Sequence, residues 1–410
     1  MTRPRAYALV VAACALPRLA VLLHERGAIT ATFTEKSDTF AQTFVNHGTF
    51  GFIPGEPSAY TQPLYGWFLI PIYWIFGHHW ESVGLAQIVV ACIVAALAYE
   101  IARRFLRPWA AVAAACIATL QPYLVWHDVH VNREIIDQLC AAALVLLTLL
   151  VADRRTPRLA IVLGLVSGLA MLGNTRLVFL PILCAAYLAA QRVPVLPIVL
   201  VLVGASVAVT PWLVRNATTV GCFTLTTDGR ALWKANNAQT YDLLSHGQWI
   251  DNVRPSSPRP APPNNYTPEE AWAFWVASHG AKRYDPNECV QMRFYEHLAW
   301  RYDRDHPGGK AKLAALSEQL LWQPNVIETG GRSGGAAKQI VEPAYMWAMY
   351  ALAAIGLFVV PRAFLALALL LFAYQSLFAA IFVGATRYRI SFDFLLAILA
   401  AAGLQRLARR

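Results

Sequence analysis

Apolar runs of about twenty residues recur along most of this chain, and nothing else in the sequence limits its fold as strongly. A helix of that length crosses a hydrocarbon layer of ~30 Å, and in lipid only helices and closed barrels satisfy their backbone polar groups. The runs lie at roughly 6–23, 84–102, 109–126, 134–152, 159–173, 177–191, 194–214, 343–360, 363–383 and 390–405. With 57% of the residues hydrophobic and only 14% charged, a polytopic all-α membrane protein of about ten spans is expected. The net charge of +10 invites a nucleic-acid reading, but the arginines cluster in short turns between apolar runs, the pattern of cytoplasmic anchoring loops. No nucleic-acid partner is therefore expected.

One further apolar stretch decides the topology. Residues 63–77 are short, contain Pro71 and are rich in Trp and Tyr, the composition of a helix lying in the interface. If they do not cross, thirteen arginines fall on the cytoplasmic side: Arg3, Arg5, Arg103, Arg104, Arg107, Arg154, Arg155, Arg158, Arg192, Arg362, Arg406, Arg409 and Arg410. The short outer loops then hold six cations: Arg26, Lys36, Arg133, Arg176, Arg387 and Arg389. If they do cross, every later loop flips, and only Arg3 and Arg5 of the thirteen stay inside. The positive-inside rule favours the interfacial reading. Arg18, within the first span, is expected near its outer end with its stem reaching the interface. Residues 3–14 resemble a signal peptide ending near Cys14. The apolar run continues to Leu23, however, so a retained first span is expected.

This topology divides the chain into residues 1–214, with a first outer loop at 24–80; an extracytoplasmic segment, 215–342; and a C-terminal membrane portion, 343–410. In the segment, the Pro-rich 254–263 reads as an extended loop, and Thr267-Pro268 as a helix start. Residues 287–305 and 309–322 read as amphipathic helices. The segment is expected to lie over the outer mouth of the bundle, without a core of its own. Cys222 and Cys289 are its only cysteines; in an oxidising compartment they can pair or stay free. The other five lie in apolar runs, as small core residues.

Polar groups collect in the outer turns. The first loop brings Glu35 and Asp38; the second His127, Asp128, His130 and Glu134; later turns bring Arg176, Arg215, Arg387, Tyr388 and Arg389. Each has an ordinary reading. Arg389 can snorkel to headgroups, Arg176 and Arg215 can answer helix C-termini, and Glu134 a helix N-terminus. Asp38 can cap a short helix starting at Thr39. Together, several arginines on one membrane face suit a negatively charged, lipid-linked substrate. The two acidic clusters beside them can supply a base or a metal ligand.

The ordered set is an acid after the first span, Ala59-x-x-x-Pro-Leu-Tyr65, an aromatic run ending Phe76-Gly77, Gly173-Asn-Thr-Arg176, Pro211-Trp-Leu-Val-Arg-Asn216 and Arg387-Tyr-Arg389. It resembles the GT-C superfamily of membrane glycosyltransferases, in the branch related to protein O-mannosyltransferases and lipid A aminoarabinose transferase. The resemblance implies a GT-C type helical bundle with interfacial helices in its first outer loop. It also implies a sugar donor carried on a polyprenyl phosphate, inversion at the anomeric carbon, and a lipid, glycan or protein acceptor. Under it the first-loop acid is Asp38, the expected general base, and the second acid is Asp128 or Glu134. Glu35, Arg176, Arg215, Arg387, Tyr388 and Arg389 are expected to bind substrate. Asp128 with His127 or His130 is a candidate site for Mg²⁺ or Mn²⁺. The chain departs from many relatives in carrying Thr39 directly after Asp38 and Gln42 where a tyrosine is common. The expected setting is the cytoplasmic (inner) membrane, with the site facing the periplasm or exterior. A transporter of polyprenyl-linked sugars is the alternative.

Overall fold

The computed structural model describes residues 2–25, 35–253, 287–324 and 336–409, with side chains from 340 onward in the last stretch. The Pro-rich loop and the helix start at Thr267 lie outside the described residues. The described elements are helical apart from one isolated bridge, Ile53 to Glu56. In order they are α1 Arg3–His24, α2 Lys36–His47, α3 Pro63–Phe76, α4 Trp80–Ala102, α5 Pro108–Thr119, α6 Pro122–His127, α7 Glu134–Arg154, α8 Pro157–Gly173 and α9 Leu180–Ala190. There follow α10 Val195–Thr219, α11 Gly229–Ala235, α12 Thr240–Ser245, α13 Glu288–Asp305, α14 Pro307–Trp322, α15 Ala336–Gly356, α16 Arg362–Ile381, α17 Thr386–Arg389 and α18 Asp393–Leu407.

Each stretch read as a span is helical over most of its length. Six described helical stretches are long and apolar enough to cross a membrane, and α3, α5, α8, α9 and α15 contribute shorter apolar helices. One expected span, 109–126, is two helices. The chain breaks at Leu120-Gln121 because Pro122 has no amide hydrogen to continue the ladder and disfavours helical backbone at the residue before it. Aliphatic α18 is the centre of the bundle: Leu395, Ala397, Ile398 and Ala400 are inaccessible, with α15 and α5 against it. Small residues let α8 and α10 touch closely. A Cβ on Gly168 would stand 2.6 Å from the Ala205 carbonyl oxygen. Helix α3 buries Tyr65, Leu69 and Tyr73 while exposing Trp67, Trp74, Ile75 and Phe76.

Arg18 corrects the expectation that it reaches the interface, since only 1% of it is exposed. Its Nε and Nη2 donate to Asp128 Oδ2 at 3.0 and 2.7 Å, and its Nη1 donates to the Thr119 and Cys14 carbonyls at 2.9 and 3.1 Å. The α5–α6 break leaves the last carbonyls of α5 without helical partners, and Arg18 supplies a donor there.

The segment between α10 and α15 shares its apolar core with the bundle. Leu244, Trp249, Ile250, Leu313 and Leu320 pack with Val383, which precedes α17. Cys222 and Cys289 are disulfide-bonded, tying the chain after α10 to the start of α13. Beside the bond, Glu288 accepts from the Ser58 hydroxyl at 2.8 Å and the Ala59 amide at 2.7 Å. Arg215, near the end of α10, donates to the Ser58 and Phe50 carbonyls at 2.9 and 3.2 Å. The first outer loop is thus gripped from a membrane helix and from the segment above it.

Candidate active site

Asp38 lies in the first turn of α2. That helix begins at Lys36, so Asp38 is not the cap of a helix starting at Thr39. Its carboxylate is buried and oriented by three groups. Gln42 Nε2 donates to Oδ2 at 2.8 Å, the Tyr73 hydroxyl donates to Oδ1, and His78 Nε2 stands 3.0 Å from Oδ1. Gln42 sits one turn along the same helix, so the residue that departs from the family pattern orients the acid. Tyr73 comes from the aromatic run, and His78 follows its end. The His78 side chain is 37% exposed and forms the outward edge of this nest.

A second cluster gathers around the start of α7. Glu134 Oε2 is 3.7 Å from His127 Nε2, and Glu134 Oε1 is 4.0 Å from Arg387 Nε. Arg387 donates to the Tyr388 hydroxyl at 2.7 Å and lies 5.1 Å from the Trp249 ring centroid. Arg176 stacks on the same tyrosine, its guanidinium carbon 3.4 Å from the ring centroid, and donates to the Val383 carbonyl at 2.9 Å. Arg133 donates to Gln62 Oε1 at 2.5 Å, and Gln62 donates to Thr175 Oγ1 at 3.2 Å, joining the first loop to the turn that carries Arg176. Asp137 accepts from Asn174 Nδ2 at 2.8 Å.

The two clusters share one end of the bundle. Glu35, Asp38 and Glu134 all act electrostatically on Tyr65, whose hydroxyl donates to Gln87 at 2.6 Å. Gln87 in turn donates to the Asp128 and His130 carbonyls, both at 2.7 Å, so α3 and α4 fix the two outer turns against each other. The segment above adds a third group. Lys36 pairs with Asp228 at 3.0 Å and lies 4.5 Å from the Tyr60 ring centroid, and Arg230 donates to the Tyr60 hydroxyl at 2.6 Å. Burial opposes both charges of the Lys36–Asp228 pair. Their mutual attraction nevertheless holds the lysine above its ordinary pKa and the aspartate below its own.

Several sequence candidates are placed elsewhere. Asp128 is wholly buried, committed to Arg18 and to Gln138 at 3.2 Å. His130 pairs through Nδ1 with the Trp126 carbonyl and through Nε2 with Glu25, both at 2.7 Å. The expected metal set of Asp128, His127 and His130 therefore does not assemble, because the turn after α6 sends these side chains to different partners. Among the described residues, no group of three or more His, Cys, Asp or Glu could hold a metal ion. Arg389 does not snorkel. It is wholly buried, bonded to Asp393 Oδ1 at 2.9 Å, the Leu321 carbonyl at 2.9 Å and the Tyr350 hydroxyl at 2.6 Å. Arg215 braces the first loop, as described above. Glu35 precedes α2, its carbonyl accepting from the Asp38 amide at 2.9 Å.

Tyr73, His78, Tyr60, Gln62, Arg133 and Arg230 were not among the sequence candidates. In the sequence Arg133 is legible only as an outer-loop cation, and His78 lies just past the aromatic run 63–77 without a signal of its own.

Comparison with known proteins agrees with this architecture. A family model described as dolichyl-phosphate-mannose-protein mannosyltransferase matches residues 57–214. The oligosaccharyltransferase AglB of Archaeoglobus fulgidus, solved with an inhibitory peptide and a dolichol-phosphate, superposes with TM-score 0.54 at 14% identity, over 98% of this chain and 50% of that one. The apo oligosaccharyltransferase of the same organism gives 0.50 at 12% identity, over 98% and 50%. ArnT from Cupriavidus metallidurans bound to undecaprenyl phosphate gives 0.44 at 14% identity, over 99% and 79%. The chain thus spans about half the length of the oligosaccharyltransferases it matches. No curated protein matches. The fold is the helical bundle of these oligosaccharyltransferases, and the family model matched over residues 57–214 agrees with the resemblance read from the sequence.

Proposed function

We propose that the protein is an inverting glycosyltransferase. It moves a sugar from a polyprenyl-phosphate donor to an acceptor hydroxyl at the outer face of the cytoplasmic membrane. The observation that carries this reading is the oriented, buried carboxylate of Asp38 together with the arginine cluster around Glu134, Asp38 and Glu134 both lying within electrostatic reach of Tyr65. The matched family model and the dolichol-phosphate in the AglB structure are consistent with a lipid-phosphate donor.

In the proposed reaction the acceptor hydroxyl gives its proton to Asp38 as its oxygen bonds to the anomeric carbon. The bond from that carbon to the phosphate oxygen breaks, and the electron pair leaves on the lipid phosphate. One in-line displacement inverts the centre. Tyr73, His78 and Gln42 orient the base, while Arg387 and Arg176, both held against Tyr388, receive the phosphate charge. The exposed aromatic face of α3 offers a surface for the prenyl chain. No step is routed through a metal, since the residues expected to bind one do not come together.

The test is release of lipid phosphate from a polyprenyl-phosphate sugar by purified protein with candidate acceptors. Asp38→Asn is expected to reduce turnover about 10²–10⁴-fold, the usual contribution of a general base. Full turnover in that variant removes Asp38 from the role. Movement of the lipid across a vesicle without any turnover in the parent would favour a transporter instead.

A further inference from the structure

The first turn of α7 carries chemistry that the phosphate-directed arginines do not use. Glu134 and Asp137 stand three residues apart and so share a helix face, with only 2% and 1% of each exposed. Asp137 Oδ2 is bonded to Asn174, while Asp137 Oδ1 is buried without a hydrogen bond; Glu134 Oε2 faces His127 Nε2 at 3.7 Å. A donor four residues before Asp137 shares the condition of Asp137 Oδ1: Arg133 Nε, which is under the electrostatic influence of both carboxylates. Helix α8 ends opposite at Gly173. A Cβ there would stand 3.1 Å from Asp137 Oδ1 and 3.2 Å from Leu64 Cδ2, so the missing side chain leaves room at that oxygen.

Leaving a buried polar atom without a partner is costly, so Asp137 Oδ1 and Arg133 Nε together call for a ligand that answers both. The ligand's chemistry follows from the mixture. A phosphate offers only acceptors and is repelled by the carboxylates. An ammonium offers only donors and is repelled by the arginines. A hydroxyl does both, accepting from a guanidinium and donating to a carboxylate. The formal charges of Arg133 and Asp137 offset, which suits a neutral molecule. We infer that this turn is the sugar subsite, and that it selects a neutral, polyhydroxylated pentose or hexose over a sugar bearing an amine or a carboxylate. The inference rests on the glycosyltransferase reading and names its substrate class.

The test is equilibrium binding of the full-length protein in detergent to three probes: undecaprenyl phosphate, its neutral hexose ester, and its 4-amino-4-deoxypentose ester. The neutral ester is expected to bind at least about tenfold tighter than the bare lipid phosphate, the effect of one hydrogen bond to a charged group. The amino sugar should gain nothing. Asp137→Ala should erase the neutral sugar's advantage and leave bare-lipid affinity unchanged. Gly173→Ala, which keeps every hydrogen-bonding group and adds one methyl beside Asp137 Oδ1, should do the same. It serves as the test if Asp137→Ala does not yield a monodisperse protein. Equal affinity for neutral ester and bare lipid overturns this inference alone, as does tighter binding of the amino sugar. Failure of all three lipids to bind overturns the glycosyltransferase reading with it.

Discussion

The Arg18–Asp128 pair gives the sharpest test of how the site is supported. Both side chains are about 1% exposed, and the guanidinium also serves the Thr119 and Cys14 carbonyls. Replacing Arg18 with Met leaves Asp128 with Gln138 as its remaining side-chain donor and strips the Thr119 carbonyl of its own. Breaking such a buried pair costs about 3–5 kcal/mol, whereas replacing both partners by apolar groups of similar volume is often neutral or stabilising. Arg18→Met and Asp128→Leu should each lose stability in that range. The double variant should recover most of the loss, so the coupling energy should exceed the cost of either single variant. Reversible unfolding in mixed micelles measures stability, and release of lipid phosphate measures function. The double variant should turn over close to the parent, because the pair frames the second outer turn without touching substrate. Additive losses would refute the pairing argument. A stable double variant without activity would refute the structural role and return Asp128 to the chemistry.

Arg387→Gln should raise KM for the lipid donor by roughly 10–100-fold, the loss of a charge-assisted hydrogen bond, with Arg387→Lys recovering only part because it lacks the planar fork; steady-state kinetics in donor decides. Tyr73→Phe removes one donor to Asp38 and should lower kcat by about tenfold with little change in KM; an unchanged kcat would show that Gln42 and His78 suffice. Glu288 is pushed above the ordinary carboxylate pKa by burial, with the Ala59 amide and the Ser58 hydroxyl acting in the opposite direction. A folded-state pKa raised above the unfolded value contributes stability that is present below the unfolded value, near 4.5, and lost as pH rises through the folded one. Amide exchange at residues 58–60 should therefore be best protected at acid pH and quicken above that window after correction for intrinsic rates. Glu288→Gln should flatten the profile, and a parent profile already flat would count against the clamp.

The spans were legible because the lipid demands long apolar helices whatever their partners. The amphipathic helices α13 and α14 were legible for a similar local reason, and the break before Pro122 could have been read from the proline itself. Pairings were not legible. Arg18 meets an acid 110 residues away, and no pattern within its own helix announces that partner. Arg387 and Arg389 show the limit most plainly. They are two residues apart, and at about 100° per residue a single helical turn points them to different sides. One faces Glu134 at the candidate site, and the other is sealed against Asp393. Lys36 reads as an ordinary loop cation until residues 228–230 bring Asp228 to its ammonium and Arg230 to the Tyr60 hydroxyl.

Helix α10 has 25 residues, a length of about 37 Å at the usual rise, against a hydrocarbon layer of about 30 Å. Such a helix leans or protrudes according to the thickness of its bilayer. Arg215 rides on its outer end and holds the backbone of Ser58 and Phe50. Lipids that change the lean of this one rod therefore tug on the first loop at Phe50 and Ser58, so acyl-chain length becomes a dial on the geometry of the candidate site.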